Sequence, residues 1–553
     1  MASLSTHSKA VDCSSASREE LLARISELER MNEASTSTHD PYSTHGKRGK
    51  AFRKEKKQTK LVDGKGRRPD SDFSADAQNE FFDRYPSRKI ALRFCYEGWL
   101  YGGLALQDEG TPLPTVEGVL LDALTKARLI KEGKDLAEIE FSRCGRTDRG
   151  VSAAGQVVSL YVRSQLSELD GVLEQGWRPA KAPLNEEYQV ATPQALQERV
   201  QSLSKQKQKQ ASKYGAKEEL PYQLLLNRVL PPSIRILAWS PVSPDFDSRF
   251  SCRFRHYKYF FSSSSSSSSI PSSLYSSALD IEAMRDGASR LVGEHDFRNF
   301  CKIDPTKQMT HFRRSIMSAT IDQLPCAPDE EELLYVLNLS GSAFLYHQVR
   351  HIMAVLFLVG SGVEPPTIID NLLNTGYWDD LLDPEKARPH PNMPVIASRP
   401  SYEMADGLPL MLWECVFPES AVHWRQDRLR SISGHDKGAL DMGSRWTQHR
   451  LASVISQHFL ESCLSFVPPP LASIAPPSQE YHLIQVGAGR TLNIGTYKPL
   501  LGRSRSDLVE VINQRWLEGQ GQRRVERKSK ALGEATDDTD RMDEGEPAES
   551  MKV

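Results

Sequence analysis

The sequence contains no run of about 18 apolar residues, so no membrane-spanning helix is expected. Its first residues have no apolar signal-peptide core. The eight cysteines (Cys13, Cys95, Cys144, Cys252, Cys301, Cys326, Cys415 and Cys463) are scattered and form no C-x-x-C pair. That argues against a zinc site or a disulfide framework and suits a reducing compartment. Net charge is nearly absent as well, with 70 Lys and Arg against 72 Asp and Glu. The balance hides a strong polarity. Lys47 to Arg68 is densely basic, and Glu534 to Glu549 is mostly acidic. Such end runs are usually solvated and disordered.

What is present suggests a folded middle between two tails. Residues 1–87 read as mostly disordered, with one short helix at Leu21, Ile25 and Leu28 behind a Ser17/Glu20 capping box. The basic run Lys47–Lys57 reads equally as a nuclear-import signal, a loose RNA-binding arm or a solvated linker. Order begins near Arg88. Ile90, Leu92, Phe94 and Tyr96 alternate as in a strand. Val116, Val119, Leu120, Ala123, Leu124 and Ala127 have helical spacing. Strands follow at Gln156–Val162 and Ile234–Trp239, around a polar insertion at about 164–220. A similar order then recurs. It comprises a strand at Arg249–Phe261, a serine run at Ser262–Ser269, a helix capped by Asp280, strands at Ser315–Ile321 and Leu333–Leu339, and a helix at Phe344–Val359. The expected class is α+β, with two split-βαβ (ferredoxin- or RRM-like) halves at 88–248 and 249–418. Residues 419–480 read as an irregular extension, 481–518 as a docked extension and 519–553 as a disordered acidic tail.

Three stretches carry candidate chemistry. The first is Arg143-Cys144-Gly145-Arg146-Thr147-Asp148-Arg149-Gly150, one carboxylate among three arginines. Alone, it reads more readily as a surface salt bridge or a turn. The second is the strand from Arg249, whose parity puts Arg249, Arg253, Arg255, Tyr257 and Tyr259 on one face and Phe250, Cys252, Phe254 and Phe260 on the other. Cations interleaved with aromatics suit RNA, because arginine meets phosphate and tyrosine stacks on a base. The third is Phe344–Val359, where Arg350 lies in apolar surroundings and needs an anion. His347 and His351 are four apart, a spacing metals use, but no third ligand is near, which favours structural or RNA-contact roles.

These residues resemble the TruA-type tRNA pseudouridine synthases. Cys144-Gly145-Arg146-Thr147-Asp148-Arg149-Gly150-Val151-Ser152-Ala153 with Gly155-Gln156-Val157 is similar to that family's G-R-T-D-x-G-V-x-A…G-Q-V signature. Leu226–Pro231 with Ile234-Arg235 resembles its L-N-x-x-L-P…I-R segment, and Asp245–Phe250 through Tyr259 its F-x-A-R-F…R-x-Y-x-Y strand. Gly293–Phe297 resembles G-x-H-D-F, and Gly341–Arg350 resembles G-x-x-F-L-x-H-x-V-R. Gly98–Gln107 keeps the G-x-x-Y-x-G-x-x-x-Q pattern, while Arg149 stands where Ala or Lys is usual. Details such as Cys144-Gly145 and Tyr497-Lys498-Pro499-Leu500 look most like the eukaryotic branch that modifies tRNA positions 38 and 39.

The resemblance implies a shared antiparallel-type sheet with a central RNA-binding cleft and an isomerase that needs no cofactor. It implies Asp148 as the catalytic carboxylate, with Arg350 as the cation that keeps it charged. Attack on C6, attack on C1′ and proton abstraction are three routes it leaves open. Arg146 is expected to hold the opened RNA and Tyr257 to stack on the flipped uracil. Arg255 and Phe344 are further candidates for substrate contact. The partner is tRNA. A homodimer is an alternative suggested by the bacterial members, and the basic run makes both nucleus and cytoplasm expected locations.

Overall fold

The computed structural model describes residues 80–107, 112–133, 135–166, 175–181, 218–264, 278–325, 332–377, 392–427, 437–466 and 482–523. The N-terminal helix, the basic run, most of the 164–220 insertion, most of the serine run and the acidic tail lie outside these residues.

The first half comprises β1 (Ser87–Tyr96), α1 (Val116–Lys126), β2 (Ser142–Arg143), β3 (Ser152–Arg163), β4 (Trp177–Arg178), α2 (Tyr222–Val229) and β5 (Ile234–Pro241). The second comprises β6 (Phe254–Ser264), α3 (Ile281–Ser289), β7 (Gly293–Asp296), β8 (Arg313–Gln323), β9 (Glu332–Gly341), α4 (Gln348–Gly360), α5 (Ile368–Leu373) and β10 (Leu410–Val416). All ten strands join one sheet, ordered β4-β1-β3-β10-β6-β9-β8-β7, with β5 also on β1 and β2 on β3. The architecture is α+β and the pairing almost wholly antiparallel. The exception is the seam, where β10 runs parallel to β3 with Met411 opposite Ser152 and Leu412 opposite Ala153. On its other side β10 pairs antiparallel with β6. One seven-residue strand thus joins the two halves.

Each half has its own core. Thr115 caps α1 by accepting from the Gly118 N–H, and the helix buries Val116, Leu120, Ala123 and Leu124. These pack with Ile90, Leu92 and Phe94 of β1. In the second half α4 is apolar all round, the mark of a helix enclosed by protein. Of its thirteen residues Arg350 alone is not buried. Tyr257 packs against both cores, at the seam.

One region differs from the sequence-based expectation. Residues 437–464 form a helix, α6 (Lys437–Leu464), within the stretch expected to be irregular. Leu451, Val454, Ile455 and Phe459 recur on it at helical spacing and are exposed. Ion pairs from Arg445 to Glu97 and from Asp441 to Arg235 tie it to the first half. Further on, β11 (His482–Gly487) and β12 (Arg490–Ile494) form a hairpin, followed by α7 (Val509–Trp516). Ile484, Leu500 and Val509 join the second core. The buried Glu364 accepts from the Tyr497 hydroxyl at 2.7 Å and from the Leu500 N–H. No helix among the described residues is long and apolar enough to cross a membrane.

Candidate active site

The loop between β2 and β3 carries Asp148, and it is pinned from several sides. The Cys144 N–H donates to the Val157 carbonyl at 2.9 Å, and the Leu104 N–H to Thr147 at 3.2 Å. The Gln156 amide donates to the Gly145 carbonyl at 3.0 Å. The buried hydroxyls of Tyr96 and Thr147 lie 2.7 Å apart. Gly98 lets the chain pass close behind, since a Cβ there would sit 2.1 Å from the Val151 carbonyl oxygen. A side chain at that position would displace the loop. These contacts fix the backbone on both sides of Asp148, so the sheet sets where the carboxylate stands.

The three arginines of the loop are not equivalent. Arg143 Nε lies 2.6 Å from the fully buried Glu117, which also accepts the Leu106 N–H at 2.8 Å. Burial raises the Glu117 carboxyl above its ordinary value, while the Leu106 N–H and the Arg143 charge pull it back. That pair ties β2 to α1. Arg146 and Arg149 are exposed and line the cleft in front of the loop.

Asp148 meets two groups from the start of α4. Arg350 Nη1 stands 3.7 Å from its Oδ2, while Arg350 Nε donates to the Ala405 carbonyl at 2.8 Å. His347 Nε2 lies 3.3 Å from the same Oδ2. The sequence pointed to Arg350 but not to His347 at this site. The available signal was the three-residue spacing of the two, which puts them on one side of a helix start. The other histidine, His351, is buried edge-on against the Tyr402 ring, and burial pushes its pKa down to about 2. It is a neutral core residue. Among the described residues no three His, Cys, Asp or Glu side chains group as metal ligands.

The cleft in front of Asp148 has a volume of about 1210 Å³. Tyr257 and Phe344 line it and meet edge to face, with ring centroids 4.9 Å apart. Burial raises the Tyr257 phenol far above its ordinary range, so it stays protonated. Arg255 also lines the cleft. It is buried, and its guanidinium donates to the carbonyls of Ser342 at 2.7 Å, Cys144 at 3.2 Å and Arg249 at 2.5 Å. Through its two terminal nitrogens it clamps three segments of the cleft wall. The parity reading fails at Phe250, which is 80% exposed, and at Tyr259, which is fully buried with its hydroxyl on the Asp406 carbonyl. Phe250 lies outside β6, which starts only at Phe254. Residues 247–250 form a turn in which the Asp247 carboxylate accepts from the N–H groups of Arg249 and Phe250.

Comparison with known proteins agrees with this geometry. Residues 288–418 match the family model described as tRNA pseudouridine synthase. The chain is 35% identical over 501 residues to the tRNA pseudouridine(38/39) synthase of Saccharomyces cerevisiae, covering 90% of each. The chain belongs to the tRNA pseudouridine synthase family. It is also 33% identical over 474 residues to the human tRNA pseudouridine(38/39) synthase, covering 83% of each. Similarity extends to the tRNA pseudouridine synthase A of the archaeon Methanothrix thermoacetophila, at 27% over 308 residues, 55% of this chain and 79% of that one. In this synthase the motifs divide by position. Those around Asp148, Arg249–Tyr257 and Phe344–Arg350 contribute residues to the cleft. Gly98–Gln107 adds Gly102–Ala105 and Gln107 to it, and the remaining two motifs do structural work. Asn227 exchanges hydrogen bonds with the Ile236 backbone, and Asp296 forms a buried, two-pronged pair with Arg298.

Proposed function

We propose that this tRNA pseudouridine synthase converts uridine to pseudouridine in the anticodon stem-loop, at positions 38 and 39, with Asp148 as the reacting carboxylate. The observation that carries the reading is the meeting of Asp148, Arg350 and Tyr257 in one cleft, although they come from the β2–β3 loop, α4 and β6. The printed names of the yeast and human relatives support the target positions.

The reaction is an isomerisation. The N1–C1′ bond breaks, the uracil turns, and C5 bonds to C1′. A proton leaves C5 and N1 gains one, so the atoms balance with no redox partner or phosphoryl donor. Asp148 supplies the carboxylate that starts the exchange. The protonated Tyr257 and Phe344 offer aromatic surface to the flipped base, worth about 1–3 kcal/mol per stacked base. Arg146, at the mouth, holds the strand from which the nucleotide has left, at an unstacking cost of a few kcal/mol.

Incubation with unmodified tRNA followed by mapping should give pseudouridine at positions 38 and 39. Modification confined to other uridines would overturn the target assignment. The cleft also carries Arg149, Arg249, Lys302 and Lys307, so binding should weaken steeply with salt despite the near-zero net charge. Arg146→Ala should make the slope of log K against log salt shallower by about 1. An unchanged slope would remove Arg146 from the phosphate contacts.

A further inference from the structure

We propose that His347 is a positioning residue for Asp148: its Nε2–H holds Oδ2 and so turns Oδ1 toward the uridine. The inference rests on the reading of Asp148 as the reacting carboxylate.

Four observations converge on it. The first is contact. His347 Nε2 is 3.3 Å from Asp148 Oδ2, nearer than the closest guanidinium nitrogen of Arg350 at 3.7 Å. That separation is just beyond the usual hydrogen-bond range, and such contacts run long in unliganded sites and tighten when substrate binds. The second is the tautomer. Nδ1 is buried and has no hydrogen-bond partner among the described residues. The proton that gains a partner is therefore the one on Nε2. The third is the backbone. His347 stands immediately before α4 with φ 63° and ψ 10°, a left-handed conformation that few residues other than glycine adopt. Its side chain does not cap the helix. The conformation therefore aims the imidazole and does not serve the helix end, and residues held this way cluster at functional sites. The fourth is the ring plane. The Tyr346 ring lies over the imidazole with centroids 3.8 Å apart. The His347 side chain is 10% exposed, so it acts through Asp148 and not as an open RNA contact.

His347 Nε2 and Arg350 Nη1 both approach the carboxylate at Oδ2. A carboxylate held by one oxygen presents the other in a fixed direction, and misplacement by about 1 Å can cost two orders of magnitude in rate.

The test uses two variants of the full chain with unmodified tRNA under single-turnover and steady-state conditions. Asparagine tolerates the left-handed backbone, but its amide reaches only as far as Nδ1. His347→Asn should therefore melt like the wild type, keep KM and tRNA affinity, and lose roughly 10- to 100-fold in kcat. His347→Gln carries an N–H donor out to the Nε2 position and should recover most of that loss. The proposal is overturned if His347→Asn keeps wild-type kcat. It is equally overturned if the loss appears in tRNA affinity, which marks an RNA contact, or if His347→Gln is no better than His347→Asn. A wild-type protein that forms no pseudouridine brings down the underlying reading, and this role with it, and is told apart by the wild-type lane alone.

Discussion

Asp148→Asn is expected to lower pseudouridine formation by at least about 10⁴-fold, a loss typical of removing a group that bonds to substrate. The same variant should bind tRNA as well as the wild type or slightly better. The two outcomes have one cause. Asn has nearly the same volume as Asp, and the loop is held by contacts from Cys144, Thr147, Gly145 and Val151 that do not involve the side chain. The fold should therefore be unaffected. A neutral amide neither bonds to carbon as a nucleophile nor takes a proton, so the chemical step has no starting group. Meanwhile one negative charge disappears from a cleft lined by Arg146, Arg149, Arg249, Lys302 and Lys307, which favours a polyanion. The measurement pairs a pseudouridine map of the reacted tRNA with a binding titration of the same preparation. Wild-type levels of modification would remove Asp148 from the chemistry. Loss of both activity and binding would make it an RNA contact.

Much of this site is legible in the sequence because its motifs are local. Arg146 and Asp148 share one loop, and Arg350 betrays itself as a cation in an apolar helix. The fold class was legible for the same reason, since period-2 and period-3.6 patterns mark β1, β3, α1 and α4. What was not legible depends on long-range pairing or on register. β10 lies some 250 residues after β3, and nothing local says that Met411 will pair with Ser152. A strand started too early counted Phe250 into a buried face, although Phe250 belongs to the turn before β6. The three carbonyl partners of Arg255 come from segments up to 111 residues away. α6 was missed although Leu451, Val454, Ile455 and Phe459 recur in it at helical spacing. His347 was read through its four-residue spacing to His351, whereas the structure splits the pair: one faces the cleft and the other packs on Tyr402.

Arg350→Met is expected to reduce kcat by about 10²–10³-fold, the usual loss when one preorganised charge is removed from a reacting centre. Arg350→Lys should recover only part of it. The magnitude agrees with a direct estimate. Opposite unit charges 3.7 Å apart attract by roughly 4 kcal/mol at the effective dielectric of a partly exposed site. That is an upper bound, and it corresponds to about a thousandfold. The split between the variants follows from geometry. The planar guanidinium uses Nε on the Ala405 carbonyl at 2.8 Å while presenting Nη1 to Asp148. Lysine has one ammonium on a flexible stem and cannot hold both positions in a fixed fork. It keeps the charge and loses the placement. Because the rest of α4 is buried, methionine at 350 continues an apolar helix and should leave the melting temperature near that of the wild type. The decisive comparison is single-turnover rate against thermal melt for the three proteins. Equal rates for Arg350→Met and wild type would show that His347 and solvent suffice to support the carboxylate. Full recovery by lysine would show that charge alone matters, and that the tie to Ala405 adds nothing to catalysis.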